Sequence, residues 1–204
     1  MNYKGKIVIG LVGGIGVGKT RVLQLLSNHY NAMIIEADKI GHLLQQPGQD
    51  TYDRILEFFG EEILESSQHI NRKKLGAIVF SDKHKLEILN SIMHPAIHEY
   101  IEKLIIESDK CLIFLEAAIL TETSLVNLTD ALWYIYSDMD TRLKRLQTYR
   151  EISKEKAMRI MANQPNDEYF RKKCEVVIDN SFTEENTLNQ INNEITKIQE
   201  EQYE

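Results

Sequence analysis

Eight consecutive residues carry the clearest chemistry in this 204-residue chain: Gly13-Gly14-Ile15-Gly16-Val17-Gly18-Lys19-Thr20. They satisfy GxxxxGK[ST] in full. Glycines let successive backbone N–H groups turn inward and approach phosphate oxygens without a side-chain clash. A helix starting at Lys19 adds partial positive charge at its N-terminus. Lys19 would reach the β and γ phosphates, and the Thr20 hydroxyl would ligate Mg²⁺. Gly14, Ile15, Gly16, Val17, Gly18 and the following Arg21 complete the candidate nucleotide contacts. A dinucleotide reading fits less well, because Gly14-x-Gly16-x-x-Lys19 lacks the third glycine of GxGxxG. The loop therefore points to a nucleoside triphosphate. By itself it does not separate kinase, ATPase and GTPase.

Carboxylates are expected opposite the loop, at the carboxyl ends of parallel strands. Glu36 and Asp38 follow one apolar run, and Glu116 and Glu122 follow another. A phosphoryl transferase needs one carboxylate to accept the acceptor's proton and others to hold Mg²⁺ or its waters. Asp38 is the candidate base, with helix capping as its equal alternative. Asp38-Lys39-Ile40-Gly41 also spells the DxxG of GTPases, but no NKxD follows to read guanine.

Residues 141–173 hold ten basic and four acidic side chains. The block is thus +6, within a chain whose total is −7. One reading is a lid that brings arginines, Arg145 or Arg150, to the transferring phosphoryl group. A solvated amphipathic helix pair is the plain alternative. A nucleic-acid stripe lacks the interleaved aromatics it needs. His94 and His98 stand at i, i+4 beside Pro95, with no third ligand or cysteine cluster to suggest zinc.

These groups need a scaffold. Short β-branched runs at Ile7–Val12, Met33–Ile35, Leu112–Leu115, Ala131–Tyr136 and Val176–Ile178 read as five buried strands. Helical spacing separates them, which implies a parallel sheet covered on both faces. The block between the second and third strands is too long for a simple crossover and reads as a helical insertion. Pro95 is expected in the first turn of a new helix there. Asp140, Ser153, Asp167 and Thr183 are expected N-caps.

Composition bounds the rest. At 43% hydrophobic and 27% charged, the chain can bury a core. No apolar run approaches a membrane span, and no signal peptide is legible at the N-terminus. Cys111 and Cys174 read as buried free thiols, so a cytoplasmic location is expected. The net charge argues against broad nucleic-acid binding.

The ordered set of motifs resembles the dephospho-coenzyme A kinase family, over about Ile7 to Glu194. The family's GLTGGIGSGKS corresponds to Gly10–Thr20, here GLVGGIGVGKT. Its D-A-D corresponds to Glu36-Ala37-Asp38, and its HP-x-I to His94-Pro95-Ala96-Ile97. Its A-R-I-x-x-Q appears as Met158-Arg159-Ile160-Met161-Ala162-Asn163-Gln164, and its V-I-D-N-S intact at Val177–Ser181.

The resemblance implies phosphorylation of the ribose 3′-hydroxyl of dephospho-CoA by ATP, with Mg²⁺, giving CoA and ADP. It implies an α/β P-loop kinase fold: a three-layer sandwich with a parallel five-stranded sheet. One domain is expected, with a nucleotide-binding core (about 1–44, 110–140 and 174–204), a helical CoA-binding region (about 45–109) and a lid (about 141–173). Asp38 becomes the base. Asp38, His94, Pro95, Glu116 and Glu122 become acceptor contacts, and Asn180 joins the nucleotide site. Glu36 or Glu116 would assist Thr20 at Mg²⁺ through water. Lys19, Arg145 and Arg150 complete the catalytic set.

Three departures stand out. Glu36 replaces the family's first aspartate. The D-x-P-L-L-x-E stretch becomes Glu116 to Glu122 without its proline. The family's lid Arg-Asp pair falls on Tyr149-Arg150. The partner expected is the small molecule alone, with no nucleic acid or membrane, and a monomer or weak homo-oligomer. The alternatives are another small-molecule or nucleotide P-loop kinase, or a non-enzymatic ATP-responsive switch.

Overall fold

A computed structural model describes residue 3, residues 5–118 and residues 120–201. Ile119, inside the altered Glu116–Glu122 stretch, lies outside the described residues. The chain divides into two units, Met1–Ile35 with Asp109–Glu204, and Glu36–Ser108.

The first unit is built on a five-stranded parallel sheet: β1 (Ile7–Val12), β2 (Ala32–Glu36), β3 (Leu112–Glu116), β4 (Ala131–Tyr136) and β5 (Val176–Asp179), in the order β2-β3-β1-β4-β5. All five expected strands are present. β1 is central, pairing Ile9 with Phe114 on one side and with Ala131 on the other. That position explains its uninterrupted apolar run, since both faces are covered. On one face, Val22, Leu23 and Leu26 of α1 (Lys19–His29) pack with Ile9, Leu11, Trp133, Ile135 and Ile178. Ile191 and Ile195 of α9 (Glu184–Glu201) complete that layer. Phe114 and Trp133 meet edge-to-face at 5.7 Å.

The basic block forms α6 (Met139–Arg150), α7 (Lys154–Ala162) and α8 (Asp167–Lys173). Leu143, Leu146 and Ala157 make a small core of their own, against which Ile15 and Met161 pack. Ser153 caps α7 as expected, and Thr183 Oγ1 accepts the Asn186 N–H at the start of α9. Two expected caps are corrected. Asp138, not Asp140, caps α6 by accepting the Thr141 N–H at 2.9 Å. Asn166, not Asp167, caps α8 through the Tyr169 N–H. In both cases the helix starts earlier than its apolar pattern suggests. The displaced aspartate then sits in the first turn, where the helix dipole favours it.

The second unit is helical: α2 (Ala37–Leu44), α3 (Asp50–Phe59), α4 (Arg72–Ser81) and α5 (Lys83–Glu107). The other three pack against α5. Pro95 does not start a helix; it lies inside the 25-residue α5. Proline there removes one i→i−4 hydrogen bond. Ile92 and Met93 before it and Ile101 and Ile105 after it are all buried, so packing on both sides carries the helix through. Among the described residues no helix is long and apolar enough to cross a membrane. The cysteine expectation is also corrected: Cys111 is exposed and Cys174 is half-buried. Cys111 precedes β3, and only the residues inside that strand are enclosed by neighbours.

Candidate active site

The phosphate loop runs from the end of β1 to the start of α1, as strand–loop–helix. Gly18, the residue before α1, has φ 90°, a left-handed conformation suited to glycine. A Cβ there would also come within 2.5 Å of Asn180 Nδ2. The loop is gripped from beneath at one atom. The Val17 carbonyl accepts from Asn180 Nδ2 at 2.8 Å, Arg145 Nη1 at 3.0 Å and Ser137 Oγ at 3.1 Å. In a trans peptide the C=O and the next N–H point in opposite directions. Pinning the Val17 oxygen therefore turns the Gly18 N–H toward the loop's other side, where an anion would lie.

Arg145 also donates to the Asn180 carbonyl at 2.7 Å and to Ser137 Oγ at 2.9 Å. Asn180 is buried, and its Oδ1 accepts from the Thr187 hydroxyl. Both residues thus hold the loop's backbone. Ser137 is a member of this cluster that sequence reasoning missed, since a lone serine after a strand carries no motif.

At the loop's opening lip, Lys19 Nζ donates to the Gly13 carbonyl at 2.9 Å. Glu116, at the carboxyl end of β3, lies 3.5 Å from the same ammonium. The lysine is thus held over the loop between a carbonyl and a carboxylate. Ile15 is held from both sides: its N–H donates to Gln164 Oε1 at 2.8 Å, and its carbonyl accepts from Arg142 Nε at 2.9 Å. Sequence reasoning missed both partners as site residues. Gln164 had a signal, as the last residue of the A-R-I-x-x-Q segment. A cavity of about 490 Å³ opens beside Gly14, lined in part by Tyr134, Tyr136, Arg142, Met161 and Phe170.

A family model for dephospho-CoA kinase matches residues 7–186. A dephospho-CoA kinase of Carboxydothermus hydrogenoformans is 39% identical over 188 residues, covering 90% of each chain. The chain belongs to the dephospho-CoA kinase family. A solved dephospho-CoA kinase from Campylobacter jejuni superposes with a TM-score of 0.68 at 25% identity, covering 94% of this chain and 96% of that one. A shikimate kinase from Acinetobacter baumannii shares the fold alone, with a TM-score of 0.55 at 13% identity over 98% and 96% of the two chains. The P-loop kinase fold expected from sequence is therefore the one observed.

Within that family frame the remaining candidates are differently placed. Asp38 is the second residue of α2; Glu36 occupies the N-cap position and makes no side-chain cap bond. Asp38 is exposed, and its carboxylate has no partner among the described residues. Glu36 instead pairs with Lys39 at 2.7 Å. His94 and Pro95 are exposed on α5, and Glu122 ends a short 3₁₀ turn at the surface. Thr20 is exposed in the first turn of α1. Arg21 points to Glu184 and Gln24. Arg150 ends α6 exposed, and its neighbour Tyr149 is 81% exposed.

Titration follows these contacts. Hydrogen bonds from Thr141 hold Asp138 below the usual carboxylate range. Burial pushes the Tyr134 hydroxyl far up and the Arg142 guanidinium down. Burial, aided by the charge of Glu175, raises the Cys174 thiol to about 12.

Proposed function

We propose that this chain transfers the γ-phosphoryl group of ATP to the ribose 3′-hydroxyl of dephospho-CoA, giving CoA and ADP. The observation that carries the reading is the Gly13–Thr20 loop. Its lysine is poised against Glu116, in a chain that matches the dephospho-CoA kinase family over most of its length.

Phosphoryl transfer needs positioning and charge neutralisation more than covalent help. The loop amides, oriented by the Val17 clamp, bind the inner phosphates. Lys19 leaves the Gly13 carbonyl and stabilises the β and γ oxygens. Asp38 accepts the ribose hydroxyl proton; its carboxylate has no competing partner among the described residues. His94, Pro95 and Glu122, all exposed, are assigned to the acceptor. Glu116 orders Lys19.

The donor set suits Mg²⁺ that arrives with the nucleotide. The exposed Thr20 hydroxyl and Glu116 supply hard oxygen ligands near the loop, and the described residues contain no cluster of three metal-binding side chains. Mg²⁺ keeps most of its ligands as water and phosphate in such sites. When bound, it would neutralise charge on the transferring phosphates.

The test is ADP release by the purified protein with Mg-ATP and dephospho-CoA, with CoA identified by mass spectrometry. Acceptor-dependent ADP and CoA are expected in equal amounts. ADP release that ignores dephospho-CoA would overturn the assignment.

A further inference from the structure

Tyr149, near the end of α6, is exposed. Its neighbour Arg150 is exposed at the end of α6. Arg145 is committed to the Val17 and Asn180 carbonyls and to Ser137. Arg142 is the arginine that touches the opening lip of the phosphate loop.

Its Nε donates to the Ile15 carbonyl, and its Nη2 lies so close to Gly14 that a Cβ there would come within 2.7 Å of it. Lys19 Nζ lies 2.9 Å from the carbonyl of the adjoining Gly13. Because that lysine serves the β and γ phosphates, and the helix N-terminus takes the inner ones, this lip faces the outermost phosphate.

The charge balance around Arg142 is equally pointed. The guanidinium is half-buried, yet no carboxylate lies within ion-pair distance among the described residues. The nearby acid, Asp167, is taken by Arg171 Nε at 2.7 Å. Neither terminal nitrogen of Arg142 has a hydrogen-bond acceptor among the described residues. Burying a cation without a counter-charge is costly unless an anion completes the site. Burial lowers its pKa, and the charges of Tyr134, Tyr136 and Asp167 offset that only in part. A planar fork with free donors matches phosphate geometry.

We propose that Arg142 is a catalytic residue of this chain, binding the γ-phosphoryl oxygens of ATP. This rests on the kinase reading above, and the test separates the two. Arg142→Ala, Arg142→Lys and, as a control on the same helix, Lys144→Ala are assayed for turnover and for binding of Mg-ATP and Mg-ADP by calorimetry. Arg142→Ala is expected to lower kcat about 10²- to 10³-fold. It should weaken ATP binding about tenfold while leaving ADP binding within about twofold, because only ATP carries the contacted group. Added guanidinium ion should restore part of the turnover. Arg142→Lys keeps a charge without the fork, and is expected to lose kcat about tenfold or more with ADP binding intact.

Equal weakening of ATP and ADP would mean that Arg142 only braces Ile15, and would overturn the proposal. So would a kcat within about fivefold of the parent, or a loss that follows Arg150→Ala instead. If Arg142→Ala does not fold, Arg142→Lys decides between the same outcomes. If the parent does not phosphorylate dephospho-CoA but prefers ATP to ADP through Arg142, the acceptor assignment falls and the Arg142 contact stands.

Discussion

Replacing Asn180 by alanine tests the clamp beneath the phosphate loop. The change deletes two buried hydrogen bonds, from Nδ2 to the Val17 carbonyl at 2.8 Å and from the Thr187 hydroxyl to Oδ1 at 2.9 Å. Each is worth about 1 kcal/mol net. Neither partner is stranded. Val17 keeps its bonds from Arg145 and Ser137, and Thr187 keeps the Thr183 carbonyl at 3.3 Å. The lost carboxamide leaves a space of roughly 40 Å³, which adds about 1 kcal/mol. The total is about 3 kcal/mol, or a fall in melting temperature of about 6–12 °C for a chain of this size. ATP binding should weaken as the Gly18 amide loses its fixed direction.

Asn180→Asp sharpens the test. It keeps an acceptor for Thr187 but sets an oxygen against the Val17 carbonyl in place of a donor. At pH 8 it should be at least as destabilising as alanine, although nearly isosteric. A protonated carboxyl could donate again, and facing the Val17 carbonyl raises its native pKa above the unfolded value of about 4, against the opposing pull of the Arg145 guanidinium that shares that carbonyl. Stability gained by such a group is full below the unfolded pKa and is lost as pH rises through the native pKa. The deficit of Asn180→Asp should therefore shrink between pH 8 and pH 5, while that of Asn180→Ala stays constant. Thermal melts across this range measure both. An aspartate variant within about 2 °C of the parent at pH 8 would refute the clamp.

Four further outcomes are expected. Asp38→Asn should lower kcat about 10³-fold with ATP affinity kept, in a turnover assay paired with calorimetry; near-normal turnover would remove Asp38 as base. Lys19→Met should lose both ATP affinity and at least about 10²-fold in kcat, since it removes the cation at the loop's lip. Pro95→Ala restores an N–H able to bond the Ser91 carbonyl inside α5, and should raise the melting temperature by several degrees. At pH 8 iodoacetamide should label exposed Cys111 quickly and Cys174 slowly, because the Cys174 thiol, held near 12, stays protonated; mass spectrometry of timed samples reads the order.

Much of this site was legible in the sequence because a phosphate loop is local. Its glycines, lysine and threonine act through the backbone of one short segment, so spacing alone identifies them. The five strands were legible for a related reason: strands enclosed on both faces leave uninterrupted β-branched runs. Cap positions were read one or two residues out at Asp138 and Asn166. A cap is chosen by where the chain enters the helix, which the apolar pattern marks only loosely. The continuity of α5 through Pro95 was illegible because burial on both sides of the proline outweighs one missing hydrogen bond.

The arginines mark the boundary most sharply. Four of them fall between residues 141 and 160, and nothing in their spacing ranks them. Composition already determined that the chain carries a +6 block and an anion-binding loop. Which guanidinium braces Val17, which meets Ile15 and which ends in solvent depends on the roll of α6 against the sheet. The packing of Leu143 and Leu146 into their small core sets that roll. Residues three and four apart on a helix share a face only once something fixes which face is inward. Sequence alone thus determined the nucleotide loop and the family, and tertiary packing decided which charges attend it.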